Sequence, residues 1–223
     1  MDSCTFRNQS IVFLIVLVLC LLLDFATSNT LSFIELSHTT DMVRVIHFED
    51  FISILTVVSI ALGILALRFA SRQFFWRILL AAIALSTLSL AFNVMGVMRT
   101  LFEHRVNPEY LLVASVFVYL ANVLIFTVWY WYLDYPGRQD LVAGKPAKLI
   151  LVFPQNVDTY PGYDSWIPSF IDYLFLAFHT SSTVGPTDVY LLSHKAKICM
   201  ICQVTISLIV LVALAARAIG ILQ

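Results

Sequence analysis

Four long apolar runs are the feature that most restricts how this chain folds. They extend over residues 51–70, 78–98, 110–133 and 198–222, and each is bordered by charged or turn-forming residues. A helix needs about 20 mainly apolar residues to cross a hydrocarbon layer about 30 Å thick. The sequence therefore predicts four transmembrane helices.

A fifth and shorter apolar run, residues 11–26, leaves two alternatives open. It carries Asp24 near its end, and Ala26 and Ser28 have the small-residue spacing of a signal-peptidase site. Residues 1–28 are thus an anchor or a cleaved signal. The rest of the chain divides into helices two to four (29–133), a loop (134–167), and a last segment (168–223).

Composition excludes several classes of function. Hydrophobic residues make up 60% of the chain and charged residues 12%, against about 45–50% and about 25% in soluble domains. A net charge of −1 offers no basic face for nucleic acid. We expect an all-α integral membrane protein with four to five transmembrane helices, embedded in the lipid bilayer of the plasma membrane.

Residues with catalytic or metal-binding chemistry are few and scattered. Asp24, Asp134 and Asp172 lie near the predicted interfaces without a paired base, so we expect no enzyme activity. Cys199 and Cys202 have metal-site spacing but no second ligand pair. The acids and histidines of residues 29–50 are irregularly spaced, which favours a solvated loop. No cofactor and no metal are predicted.

Polar residues recur at helical spacing inside the apolar runs. Because lipid cannot satisfy polar side chains, such stripes mark the protein-facing side of each helix. Interhelical packing is the simpler interpretation of these stripes, and a polar conduit is the alternative. Their members are Thr56, Ser59 and Gly63 in the second helix, Ser86, Ser89, Asn93 and Gly96 in the third, and Ser115, Tyr119 and Asn122 in the fourth.

Lysine and arginine are distributed unequally between the two sides of the predicted bundle. Of the 13 such residues, the side that holds the N-terminus and the loop after residue 133 receives most. Short loops rich in Lys and Arg tend to remain cytoplasmic, so that side is predicted to face inward. The aromatic residues of 129–135 are predicted to anchor the fourth helix in the headgroup layer.

Residues 166–188 differ from the rest of the chain. Pro168 suits a first helical turn, the apolar stretch from Ser169 to His179 is too short to cross a bilayer, and Gly185 and Pro186 stop any helix. A short apolar helix that ends in hydroxyls and glycine before a full span has the outline of a re-entrant loop. Such backbone is stable at membrane depth only when it is buried in protein or lines water.

This segment resembles the pore region of potassium channels, where a short pore helix leads into a Thr-Val-Gly-Tyr-Gly-Asp filter and then an inner helix. The resemblance implies backbone carbonyls aimed at a dehydrated ion. Proline and threonine in place of the aromatic residue and the second glycine imply altered outer ion sites and no inherited potassium selectivity. The matching residues are Thr183, Val184, Gly185 and Asp188, and the departures are Pro186 and Thr187.

The C-terminal half also resembles a family of uncharacterised bacterial multi-pass membrane proteins. The similar stretches are residues 129–134, 153–155, 172–178, 186–188 and 215–218. That resemblance implies a fold but no activity. It also implies that the Pro-Thr-Asp turn at 186–188 belongs to that family's own pattern.

The orientation predicted from charge conflicts with potassium-channel pore loops, which enter from outside. Three explanations stay open: the charge rule fails, the loop dips from the cytoplasm, or residues 171–184 cross completely. Two functional hypotheses follow. One is an oligomeric pore, most simply a tetramer, that passes monovalent cations along Thr183–Gly185 with Asp188 at its mouth. The other is a non-conducting membrane protein with an assembly or sensing role.

Overall fold

Long α-helices form most of the chain in a computed structural model, which describes residues 3–35, 40–69, 72–101, 108–157, 166–182 and 188–221. Within those ranges there are six α-helices: α1 Ser3–Glu35, α2 Thr40–Phe69, α3 Arg72–Leu101, α4 Pro108–Val142, α5 Phe170–Ser182 and α6 His194–Ile221. The predicted all-α class is confirmed. One small addition was not predicted, the antiparallel pair of strands β1 Leu151–Val152 and β2 Tyr190–Leu191.

Four of these helices are long and apolar enough to cross a membrane: Ser10–Thr30 in α1, Gln73–Leu101 in α3, Glu109–Val142 in α4 and His194–Ala216 in α6. In α2 the described apolar stretch, Phe51–Ala66, is shorter than the predicted run 51–70. Together the four helices indicate a membrane protein.

The predicted solvated loop at residues 29–50 is largely wrong. Helix α1 continues to Glu35 and α2 already begins at Thr40. Helix propensity and continuity with the apolar turns on either side outweigh the local polar residues here. Helix α4 likewise continues to Val142, beyond the predicted end of its apolar run at 133, although Pro136 lies inside it.

Helix α4 is the centre of the bundle and packs against α1, α3, α5 and α6. Tyr130, Trp131 and Tyr135 on α4 are buried. The expectation that the aromatic residues of 129–135 anchor the helix in the headgroup layer is therefore wrong for these three, which are not exposed to lipid. Their rings pack against other helices instead, since aromatic side chains bury large areas wherever a neighbour offers a matching surface.

Aromatic contacts show which helix ends lie together. Trp131, near the end of α4, stacks on Phe13 near the start of α1 with ring centroids 4.0 Å apart, and on Trp76 near the start of α3 with centroids 5.4 Å apart. Helices α1 and α3 therefore run antiparallel to α4. The end of the bundle that contains Trp76, Trp131 and Asp134 is called the aromatic end below.

Helix α1 is an integral part of this packing. Phe13 and Leu17 are buried, and the side chain of Leu14 approaches Gly63 of α2 so closely that a Cβ there would lie 3.2 Å from it. Loss of residues 1–28 would expose the apolar surface of α4 around Trp131. This packing favours a retained anchor over a cleaved signal, and retention stays a prediction.

Candidate functional site

Most of the predicted pore residues, Thr183 to Thr187, lie outside the described residues. Asp188 is described and is exposed, two residues before β2. The elements on either side of the predicted pore segment, α5 and β2, therefore show where the segment begins and ends.

Helix α5 begins at the aromatic end of the bundle. The Ser169 backbone N–H and hydroxyl both donate to Oδ2 of Asp172, at 2.7 Å each, in the manner of a capping box. One residue further, the buried hydroxyl of Tyr173 donates to Oδ2 of Asp134 on α4, at 3.0 Å. This bond fixes the first turn of α5 against the last part of α4.

Helix α5 ends much deeper along α4. The hydroxyl oxygen of Ser181 accepts hydrogen bonds from Gln203 Nε2 of α6 at 2.7 Å and from Asn122 Nδ2 of α4 at 3.4 Å. Asn122 precedes Asp134 by twelve residues, a distance of about 18 Å along a helix that rises 1.5 Å per residue. Helix α5 thus runs from the aromatic end toward the middle of α4.

The chain then returns to the end at which α5 began. Tyr190 of β2 pairs with Val152 of β1, and the neighbouring Leu151 N–H donates to Oδ1 of Asp134 at 3.2 Å. Both ends of the segment from α5 to β2 therefore lie at the aromatic end, whereas its middle reaches the level of Asn122.

A buried polar cluster surrounds the deep end of α5. Asn122 Nδ2 donates to the Ser207 hydroxyl at 2.7 Å, and the Tyr130 hydroxyl donates to Oε1 of Gln203 at 2.7 Å. These side chains are buried between α4, α5 and α6. They tie the end of α5 to both neighbouring helices, which explains why the predicted stripe residue Asn122 faces protein.

A second polar cluster, at the aromatic end, was not predicted from the sequence. Asp134 is not an isolated acid, because Arg138 Nε donates to its Oδ2 at 2.7 Å in a buried ion pair. Arg138 also donates to the Leu151 carbonyl at 2.7 Å and to Oδ1 of Asn156 at 2.8 Å. Asp134 and Arg138 are four residues apart on one helix, and this spacing is the sequence feature that could have predicted the ion pair.

Tyr173 completes this cluster as a hydrogen-bond donor. Burial raises the pKa of its hydroxyl, and the negative charge of Asp134 raises that pKa further. With its donors satisfied and its charges paired, the Asp134 cluster holds the loop and α5 in place.

A third polar cluster lies deeper in the bundle, on its other side. Asp24 accepts hydrogen bonds from Ser53 of α2 at 2.8 Å and from Ser89 and Asn93 of α3. Asp24 therefore joins three helices, and its predicted position near an interface stays a prediction. The stripes predicted for α2 and α3 are confirmed as protein-facing at Thr56, Ser86, Ser89 and Asn93, which are buried.

No protein-family model, curated protein or solved structure matches this chain. Only the geometry of its own polar clusters and of α5 therefore bears on its function.

Proposed function

We propose that this chain is an oligomeric, cation-permeable membrane protein in which α5 and the residues after it form a re-entrant loop. The observation that carries the proposal is the path of this segment. It starts and ends beside Asp134, at the aromatic end, and reaches Asn122 between those points.

The length of α5 supports a loop rather than a complete crossing. Its 13 residues extend about 20 Å at 1.5 Å per residue, which is less than the hydrocarbon thickness of about 30 Å. Thr183, Val184 and Gly185 follow directly after Ser182, the last residue of α5. In this proposal they carry their backbone groups at membrane depth, where only protein or water satisfies such groups.

The charge distribution orients the loop. The loop residues Lys145 and Lys148 and the start of α6, with Lys195 and Lys197, all belong to the aromatic end. Because Lys and Arg concentrate on the cytoplasmic side, the aromatic end is inside in this proposal. The loop then dips from the cytoplasm, as in channels with an inverted pore, and the membrane is the plasma membrane.

Conduction requires several copies of the chain. Each chain supplies one pore-like segment, whereas selectivity filters built from backbone carbonyls surround an ion with four loops. We therefore propose a tetramer that passes monovalent cations, with the exposed carboxylate of Asp188 as an attractive charge at the mouth.

One observation favours the second hypothesis, a non-conducting protein with an assembly or sensing role. The hydroxyl of Ser181, the amide of Gln203 and the amide nitrogen of Asn122 bond to one another or to neighbouring residues. These hydrogen bonds hold α5 as a structural cap without an ion, although Oδ1 of Asn122 has no partner among the described residues.

Ion flux from liposomes separates the two hypotheses. Purified protein is reconstituted as wild type, as Gly185→Ala and as Gly144→Ala. Gly144 lies in an exposed turn with a φ of +67°, so this control introduces backbone strain away from the pore-like segment. We expect cation flux in the wild type and the control, and its loss or altered selectivity in Gly185→Ala. The oligomeric state is measured in parallel by native mass spectrometry.

A separate experiment tests whether the carboxylate of Asp188 attracts cations at the mouth of the pore. Asp188→Asn is expected to lower cation flux most at 0.01 M salt, where the Debye length is about 30 Å, and least at 1 M, where it is about 3 Å. Asp140→Asn, which alters an exposed carboxylate on α4, is the control. A monomeric wild type without flux would establish the non-conducting hypothesis instead.

A further inference from the structure

A small polar void lies inside the bundle, apart from α5 and its cluster. It has a volume of about 10 Å³ and lies between α1, α2, α3 and α4. A void of this size holds one water-sized particle. Its polar lining comes from three of these helices and consists of Asp24, Thr27, Thr56, Ser86, Ser89 and Asn93.

Asp24 brings a carboxyl group to this void. The carboxylate lies within the apolar stretch Ser10–Thr30 and accepts hydrogen bonds from Ser53, Ser89 and Asn93. Among the described side chains that line the void, none is Lys, Arg or His. An unpaired carboxylate at membrane depth is costly, and such residues mark ion or proton pathways.

Two of the hydroxyl groups around the void donate their protons to backbone carbonyls of their own helices. The Thr27 hydroxyl donates to the Leu23 carbonyl at 2.8 Å, and the Thr56 hydroxyl donates to the Ile52 carbonyl at 2.9 Å. Each hydroxyl has one proton and two lone pairs. These two side chains can therefore act only as hydrogen-bond acceptors or ligands toward the void. The void is thus lined by electron-rich oxygen.

Ser86 provides an independent sign that something binds here. Its side chain is only 5% exposed, it lines the void, and its hydroxyl oxygen has no hydrogen-bond partner. A buried hydroxyl without a partner is unfavourable, so this oxygen is explained best as a ligand for a particle that occupies the void.

We propose that the void is a binding site for one sodium ion. A single carboxylate balances a single positive charge, and the remaining ligands are hydroxyl and amide oxygens, which suit a hard cation. Calcium carries two positive charges, which a single carboxylate does not balance, and it takes six to eight oxygen ligands. In the part of the chain that the structure describes, no three His, Cys, Asp or Glu side chains gather as a transition-metal site.

A groove between α1 and α2 gives access to this site. It has a volume of about 820 Å³ and is mostly apolar, with Asp24, Ser28 and Ser53 among its lining residues. Asp24 lines both the groove and the void. In this proposal the carboxylate of Asp24 lies between the groove and the bound ion, and ion binding ties α1, α2 and α3 together.

Equilibrium binding of radiolabelled sodium to the purified full chain in detergent tests the proposal, with choline chloride holding the ionic strength constant. We expect saturable binding of one ion per chain. Asp24→Asn should weaken binding by at least about 30-fold, as for loss of one partner of a buried charge pair. Ser86→Ala should weaken it by about two- to tenfold.

Ser86→Ala keeps the proposal testable if Asp24→Asn folds poorly, because the Ser86 hydroxyl makes no hydrogen bond that the change would break. The matched controls are Asp140→Asn, at an exposed carboxylate, and Ser59→Ala, whose hydroxyl bonds within α2. Both should bind like the wild type. Absence of saturable binding, or equal binding by wild type and Ser86→Ala, overturns the proposal. A thermal stability that depends on pH but not on sodium would assign the site to a proton instead.

Discussion

Replacing Asp134 by alanine removes the acceptor for three donors that come from three parts of the chain. Oδ2 accepts from Arg138 Nε on α4 and from the Tyr173 hydroxyl on α5, and Oδ1 accepts from the Leu151 N–H of β1. Asp134 and Arg138 are both buried. The variant therefore leaves a guanidinium group buried without its counter-charge and releases both the loop and the start of α5.

The expected loss of stability follows from this geometry. Removing one partner of a buried ion pair costs about 3–5 kcal/mol. Arg138 keeps its bonds to the Leu151 carbonyl and to Asn156, so we expect the lower end, about 3 kcal/mol. For chains of 150–250 residues each kcal/mol shifts Tm by about 2–4 °C, which predicts a fall of about 6–12 °C.

Thermal unfolding in mild detergent measures this effect. The matched control is Asp140→Ala, on the same helix but exposed, for which a change within about 0.5 kcal/mol is expected. The double variant Asp134→Leu with Arg138→Met removes both charges and should recover part of the loss, because a buried pair replaced by apolar residues is often neutral. Equal Tm values for Asp134→Ala and Asp140→Ala would refute the role of the pair.

Two further predictions concern packing and orientation. Gly137→Ala places a Cβ 2.6 Å from the carbonyl oxygen of Lys148, and because that atom belongs to the backbone we expect a loss of about 1–3 kcal/mol; an unchanged Tm in the same scan would contradict the close approach. Lys145→Cys, in a chain freed of its native cysteines, should resist a membrane-impermeant thiol reagent in intact cells, and ready labelling would place the aromatic end outside.

The all-α class and its long apolar helices were predictable because hydrophobicity is a local property. A run such as residues 110–133 must avoid water and satisfy its backbone within itself, whatever its neighbours are. The protein-facing side of α3 was predictable for the same reason, since Ser86, Ser89 and Asn93 recur at helical spacing. The pore-like segment was recognised by its break in this pattern, and the role of Thr183 to Asp188 stays a prediction.

The partners of these polar side chains were decided by the tertiary structure. Asp24 bonds to Ser89, 65 residues away, and Gln203 bonds to Ser181, 22 residues away. Many arrangements of six helices bury the same stripes, so helical spacing alone does not choose among them. Packing of large side chains such as Phe13 on Trp131 sets the rotation and depth of each helix. A hydrogen bond forms only where that rotation and depth bring donor and acceptor within about 3 Å.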